Sequence, residues 1–259
     1  MTETAAAALA RLYDLDLADD PGDLDLYLAV AERTGGPLLE LGVGSGRLAV
    51  PLAASGFDVT GVDLDEAMLD RARSAADAAG RGTAGRLTLV TGDVREVRLP
   101  DAGTYRLAFI PLNSLFLMGS RADQAEAVAT LAAHLAPGGL AVVDCWLPDA
   151  EDLARYDGRL VLEWTRTDPE TGHTVTKSGS AVWDPGRNAV GLTTIFESGL
   201  QGQPPVRWVR VDRLRLVAPE ELTAMAEAAG LVIETLAGDY DLGPLEHGSE
   251  RVVMLARKP

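Results

Sequence analysis

The sequence predicts an α/β fold on a doubly wound, mostly parallel sheet, interrupted by an inserted antiparallel sheet. Three observations carry this. Between residues 37 and 144, short β-rich runs alternate with helix-like ones. The run at 140–144 is apolar up to its closing acid, as a strand covered on both faces should be. From 159 to 217 the helical runs vanish, and four strand-like stretches follow, RLVLEWTRT, TVTKSGSAVW, AVGLTTIFES and VRWVRVDRLRLV. Turn sequences at 168–172 and 184–188 separate three of them, the signature of antiparallel pairing.

Taken in order, residues 4–34 read as mostly helical, with an acidic break at Asp19-Asp20-Pro21-Gly22. A buried strand at 37–42 leads into a helix at 48–55 that Gly56 ends, and a second strand covers 57–63. Asp65 is a good N-cap for a helix that stops near Gly80. Strands follow at 87–91 and 107–110, then an Ala-rich helix at 121–135 ended by Pro137-Gly138-Gly139, then the strand at 140–144. After the insert, a helix resumes behind Pro219, and strands at 231–236 and 252–256 close the chain. The expected organisation is a helical cap at 1–36, a main domain at 37–157 and 218–259, and an inserted β subdomain at 158–217.

Composition narrows the function. The 259 residues carry 23 Lys+Arg against 39 Asp+Glu, a net charge of −16. Such a surface repels phosphate backbones and anionic membranes, so the expected partner is a small molecule rather than nucleic acid or a membrane. The acidic cluster Asp14, Asp16, Asp19, Asp20, Asp23 and Asp25 reads as a solvated face. A single cysteine, Cys145, excludes an intrachain disulfide and reads as a small buried residue. The first residues lack a basic n-region, and no run of about 18 apolar residues is present, so a cytoplasmic location is expected.

The stretch LLELGVGSGRLAV, residues 38–50, places a glycine-rich turn between a strand and a helix, where doubly wound sheets bind cofactors. A dinucleotide fingerprint would need a third glycine where Arg47 stands, which argues against a nicotinamide-dependent oxidoreductase. The Gly-Lys-Ser/Thr of a phosphate loop is absent. What remains is Glu40-x-Gly42-x-Gly44-x-Gly46, followed 23 residues after Glu40 by Asp63 at the end of the second strand (63 − 40).

This acid-led loop resembles the first motif of class I S-adenosylmethionine-dependent methyltransferases, and GVDLDEAMLDRAR at 61–73 resembles their second. Gly92-Asp93-Val94 and 110–114 sit where the third and fourth motifs fall, and 134–139 resembles the lead-in to the fifth strand. The resemblance covers 37–146 and 218–258 and implies a Rossmann-like, seven-stranded sheet with S-adenosylmethionine as cofactor. It also implies roles. Glu40 fixes the methionine ammonium group, Gly42, Gly44 and Gly46 pass against the methionine and ribose, and Asp63 accepts the ribose hydroxyls. Leu64 and Met68 pack on the adenine, which Asp93 and Val94 hold. Leu112 and Asn113 line the methyl-transfer site. The N-terminal segment resembles the cap of small-molecule members, in which a tyrosine such as Tyr13 approaches the cofactor from above. The tail at 238–258 resembles members with an active-site loop before the last strand, which holds His247, the histidine to test as a base. The insert is similar to that of N-methyltransferases acting on glycine or amino sugars, where it roofs the pocket or builds a homodimer. Arg207, Arg210, Arg213 and Arg215 would then charge its exposed strands.

The remaining polar candidates read as structural: Tyr27 as a packed cap residue, His134 as a helix-end imidazole, and His173 as a residue of a hairpin turn. Asp144 is followed by Cys145 rather than Asn, so no metal is expected, and the Asp/Asn-Pro-Pro-aromatic mark of nucleobase-amine methylation is missing. The expected activity is methyl transfer to an amine or hydroxyl of a small molecule. The alternative is a non-catalytic cofactor-binding or partner-binding protein on the same fold.

Overall fold

The computed structural model of the chain describes residues 3–19, 21–200 and 202–259; Asp20 of the predicted acidic break lies outside them. The elements run α1 (Ala5–Asp16), α2 (Leu24–Thr34), β1 (Leu38–Leu41), α3 (Ala49–Ala54), β2 (Val59–Asp63), α4 (Glu66–Ala79), α5 (Arg81–Ala84), β3 (Leu87–Thr91) and β4 (Tyr105–Ile110). They continue α6 (Arg121–His134), β5 (Leu135–Trp146), α7 (Ala150–Arg155), β6 (Val161–Thr167), β7 (Thr174–Asp184), β8 (Ala189–Gly199), β9 (Val206–Arg215), α8 (Pro219–Ala228), β10 (Val232–Ala237) and β11 (Arg251–Arg257). Two units result: a larger one from Pro21–Leu147 and Val217–Pro259, and a smaller one from Met1–Asp20 and Pro148–Leu216.

The larger unit is a seven-stranded sheet in the order β10-β11-β5-β4-β1-β2-β3. The first five strands pair in parallel, and β11 runs antiparallel between β5 and β10. Leu38, Leu39, Leu41, Leu107, Phe109, Leu140 and Val142 are all fully buried, which is why these strands read as continuous apolar runs. The strand order reverses at β1, flanked by β2 on one side and β4 on the other. The carboxyl ends of these strands therefore open a crevice at the switch point, the ligand position of such sheets. Asp65 caps α4 as expected, its side chain accepting from the Ala67 amide.

Two local features depart from expectation. Pro137-Gly138-Gly139 does not separate a helix from a strand at 140; β5 starts at Leu135, directly after α6. The glycines sit in a register shift against β4, where a Cβ on Gly139 would lie 2.9 Å from the carbonyl oxygens of both Ala136 and Tyr105. The sequence signal for a break marks an irregularity within a strand. The short helix α7 was not anticipated; a capping box between Asp149 and Asp152 starts it.

In the smaller unit, β6-β7-β8-β9 form the expected four-stranded antiparallel sheet. Helix α1 covers it, placing Leu12 in a cluster with Val175 and Phe196 and against Trp164 and Trp208. Polar bonds fix the same contact: Arg11 pairs with Asp168, the Trp164 indole donates to Asp16 over 2.9 Å, and Lys177 reaches Asp16 at 2.7 Å. The two helices grouped in sequence as one cap thus fall in different units, α1 with the inserted sheet and α2 with the larger one.

Candidate functional site

The glycine loop after β1 assigns each glycine a different task. A Cβ at Gly46 would lie 2.9 Å from Val50 Cγ2 and 3.1 Å from Ala72 Cβ, so this glycine permits close helix packing. A Cβ at Gly42 would lie 3.2 Å from Ser114 Cβ. At Gly44 nothing stands within 4 Å, and the backbone is left-handed at φ 53°. Gly44 is therefore the point where the loop presents bare backbone to open space. Below it, Val43 lies over β2, where Gly61 leaves room for it; a Cβ there would be 2.6 Å from Val43 Cγ2.

The Asp63 carboxylate ties this loop to β2. Oδ2 accepts from the Gly44 amide at 2.8 Å and Oδ1 from the Asp65 amide at 3.0 Å. Each oxygen keeps a further acceptor site, the requirement for holding a vicinal diol. Beside it Leu64 is 69% exposed, an apolar surface available to a flat ring, whereas Met68 is 8% exposed and largely part of the core. Asp93 and Val94 follow β3 and are half-buried. Asp93 accepts from the Arg95 amide and guanidinium, and Arg95 continues to Asp123. That ion pair holds the Asp93 carboxyl below its ordinary range.

Glu40 sits at the heart of the loop, 2% exposed, and its Oε2 is the one buried side-chain polar atom without a hydrogen-bond partner among the described residues. The nearby guanidinium of Arg47 is engaged with fully buried Asp23 through both oxygens, at 2.5 and 2.6 Å. Burial raises the Glu40 carboxyl well above its usual range; Arg47 and the Ala49 amide oppose the shift, and Asp23 and Asp63 reinforce it.

At the carboxyl ends of β4 and β5 the backbone is strained. Leu112 and Asn113 both take left-handed conformations, at φ 46° and 64°, a cost of about 1–2 kcal/mol for a residue such as leucine. Buried Asp144 braces the turn: Oδ2 accepts from the Leu112 amide at 3.1 Å and from the Tyr27 hydroxyl at 2.7 Å, and Oδ1 from the Tyr240 hydroxyl at 2.9 Å. Arg251 stands 3.6 Å from Oδ1, donates to the Tyr240 hydroxyl and stacks 4.1 Å over its ring. Burial raises the Tyr27 and Tyr240 hydroxyls and the Asp144 carboxyl above their ordinary ranges. The Asn113 side-chain oxygen accepts from the Trp146 amide at 2.6 Å, which joins the turn to the end of β5.

This network has no local sequence pattern: in sequence Tyr27 reads as plain packing, Asp144 bears only on the absence of a metal, and Tyr240 and Arg251 belong to no motif. The signal present was a lone acid closing an apolar strand. Of the other candidates, Tyr13 lies half-buried on α1 in the smaller unit, and His247 is exposed in the loop before β11. His134 is structural: buried, with Nδ1 2.7 Å from the Thr130 carbonyl and Nε2 3.2 Å from the Leu99 amide, so Nδ1 carries the proton. Among the described residues, no group of His, Cys, Asp and Glu is arranged to hold a metal ion.

A family model described as a methyltransferase domain matches residues 38–139. The chain is 26% identical over 249 residues to a dTDP-3-amino-3,4,6-trideoxy-alpha-D-glucopyranose N,N-dimethyltransferase of Streptomyces venezuelae, covering 88% of this chain and 92% of that protein. It is 27% identical over 237 residues to a cypemycin N-terminal methyltransferase of a Streptomyces species, covering 86% and 84%. The solved CcbJ methyltransferase from Streptomyces caelestis superposes with a TM-score of 0.79 at 28% identity, over 93% of this chain and 98% of that one. Residues 38–139 match a methyltransferase domain, and the fold is that of class I S-adenosylmethionine-dependent methyltransferases. Its cofactor is S-adenosylmethionine, and the residues present suit it: a buried carboxyl oxygen awaiting a donor, bare backbone at Gly44, and acceptor capacity on Asp63.

Proposed function

We propose that the chain methylates an amine of a small, sugar-like molecule. The observation that carries the site assignment is the open backbone at Gly44 between Glu40, with its unpartnered oxygen, and Asp63. The choice of nitrogen over oxygen is supported by two relatives covered over most of their length, one named an N,N-dimethyltransferase of an amino sugar and the other an N-terminal methyltransferase.

The cofactor supplies a methyl group already activated by its sulfonium. The chain's own part is alignment and exclusion of water. Glu40 holds the methionine ammonium, and Gly44 lets the backbone pass against the methionine and ribose, with Gly42 and Gly46 allowing the loop's close approach to Ser114 and to Val50 and Ala72. Asp63 accepts the ribose hydroxyls. Leu64, Asp93 and Val94 hold the adenine, with Asp93 positioned by Arg95, while Met68 packs in the core. Leu112 and Asn113 line the transfer site, where the Asp144 network fixes their backbone. His247, in the loop before β11, serves the substrate side. An amine arriving as its free base needs no general base before attack; a hydroxyl does.

The test is a titration with S-adenosylmethionine and S-adenosylhomocysteine, with NADH as control, then a screen of amino sugars and their hydroxyl counterparts read by S-adenosylhomocysteine formation. Micromolar binding with turnover of amines alone is the expected result. Turnover of hydroxyls alone would move the acceptor to oxygen. Binding without any turnover would favour a non-catalytic role, and no binding would remove the cofactor site.

A further inference from the structure

Two buried acids and one guanidinium share the space under the glycine loop. Asp23 and Arg47 satisfy each other through a two-oxygen, two-nitrogen pair, which leaves Glu40 with no cation of its own. Among the described residues, the charged groups acting on Glu40 are Arg47 from the loop, Asp23 from the start of α2 and Asp63 from the end of β2, with the Ala49 amide from α3 as its backbone donor. An ionised carboxylate with a partnerless, water-excluded oxygen is costly, and the group avoids that cost by keeping a proton.

We propose that Glu40 is protonated in the ligand-free chain and releases its proton when the cofactor's ammonium group arrives, so that cofactor uptake expels about one proton. This rests on the reading that Glu40 faces the methionine end. The exchange balances: the carboxyl O–H proton passes to solvent, an ammonium N–H donates to the freed carboxylate, and no covalent bond of the cofactor changes. The site stays neutral in both states, first by protonation and then by pairing. Affinity should accordingly tighten with rising pH, by up to tenfold per unit, between the bound and the free titration of Glu40.

The experiment is calorimetric titration between about pH 5 and pH 7, where the ligand's own amino group stays charged. Each titration is run in two buffers of different ionisation enthalpy. The probes are S-adenosylmethionine, S-adenosylhomocysteine and 5′-methylthioadenosine, which has the nucleoside but no amino-acid group. Expected is release of roughly half to one proton with the first two, none with methylthioadenosine, and none from Glu40→Gln. Heats independent of buffer for the wild type throughout that window would overturn the proposal while leaving the cofactor site intact, as would an unchanged proton count in Glu40→Gln. No heat with any probe would overturn both. Should Glu40→Gln fail to bind, difference infrared spectra of the wild type decide. Loss of a protonated-carboxyl band on adding S-adenosylhomocysteine is expected, and its persistence would overturn the proposal.

Discussion

Gly44 and Gly61 are both glycines of the cofactor motifs, yet they fail differently when a side chain is added. At Gly61 a methyl group would be driven into Val43. Gly61→Ala should cost about 1–3 kcal/mol and lower the melting temperature while leaving some binding. At Gly44 the space is open, so Gly44→Arg should cost only about 1 kcal/mol, from its left-handed backbone, and abolish S-adenosylmethionine binding. Melting curves paired with titrations separate the two; normal binding by Gly44→Arg would take the loop out of the site. Glu40 gives a prediction of another kind. Its folded-state carboxyl titrates above the usual glutamate range, so between those two values the native chain holds a proton that the unfolded chain has lost. Stability of the ligand-free protein should therefore fall as pH rises through that window. Urea melts across the pH series should show the wild type losing stability relative to Glu40→Gln there; parallel curves would mean that Glu40 titrates normally.

At the scale of elements, the Arg47–Asp23 pair joins the glycine loop to the start of α2. Asp23 is fully buried while Arg47 is partly exposed, so the pair should break asymmetrically. Arg47→Met strands a buried charge and should cost about 2–4 kcal/mol; Asp23→Asn leaves a guanidinium that water can reach and should cost about half as much. Denaturant melts would show the order, and the reverse order would mean that Arg47 does not neutralise Asp23. The same elements show where sequence was legible. Strands, helices and cofactor motifs were readable because their signals are local: apolar runs, an N-cap at Asp65, glycines two apart before a helix. The attachment of α1 to the inserted sheet depends on residues such as Trp164 and Lys177, far along the chain, and no local pattern announces it. The Asp144 network is the strongest case. Its tyrosines lie 117 residues before and 96 after the acid, so only the folded sheet brings them together.

At the scale of the whole molecule, the net charge of −16 surrounds a site whose cofactor carries one more positive charge than its product. S-adenosylmethionine has an ammonium, a carboxylate and a sulfonium; S-adenosylhomocysteine lacks the sulfonium charge and is otherwise alike. A chain-wide negative potential favours the first over the second, and salt removes that preference as the screening length falls from about 30 Å at 0.01 M to about 3 Å at 1 M. The ratio of the two affinities should therefore shift severalfold toward the product as salt is raised, while the proposed ammonium contact at buried Glu40, common to both ligands, stays nearly constant. Competition titrations at low and high salt measure this directly. A ratio that does not move would place the discrimination in groups close to the sulfonium rather than in the charge of the chain. The acidic composition would then serve solubility alone.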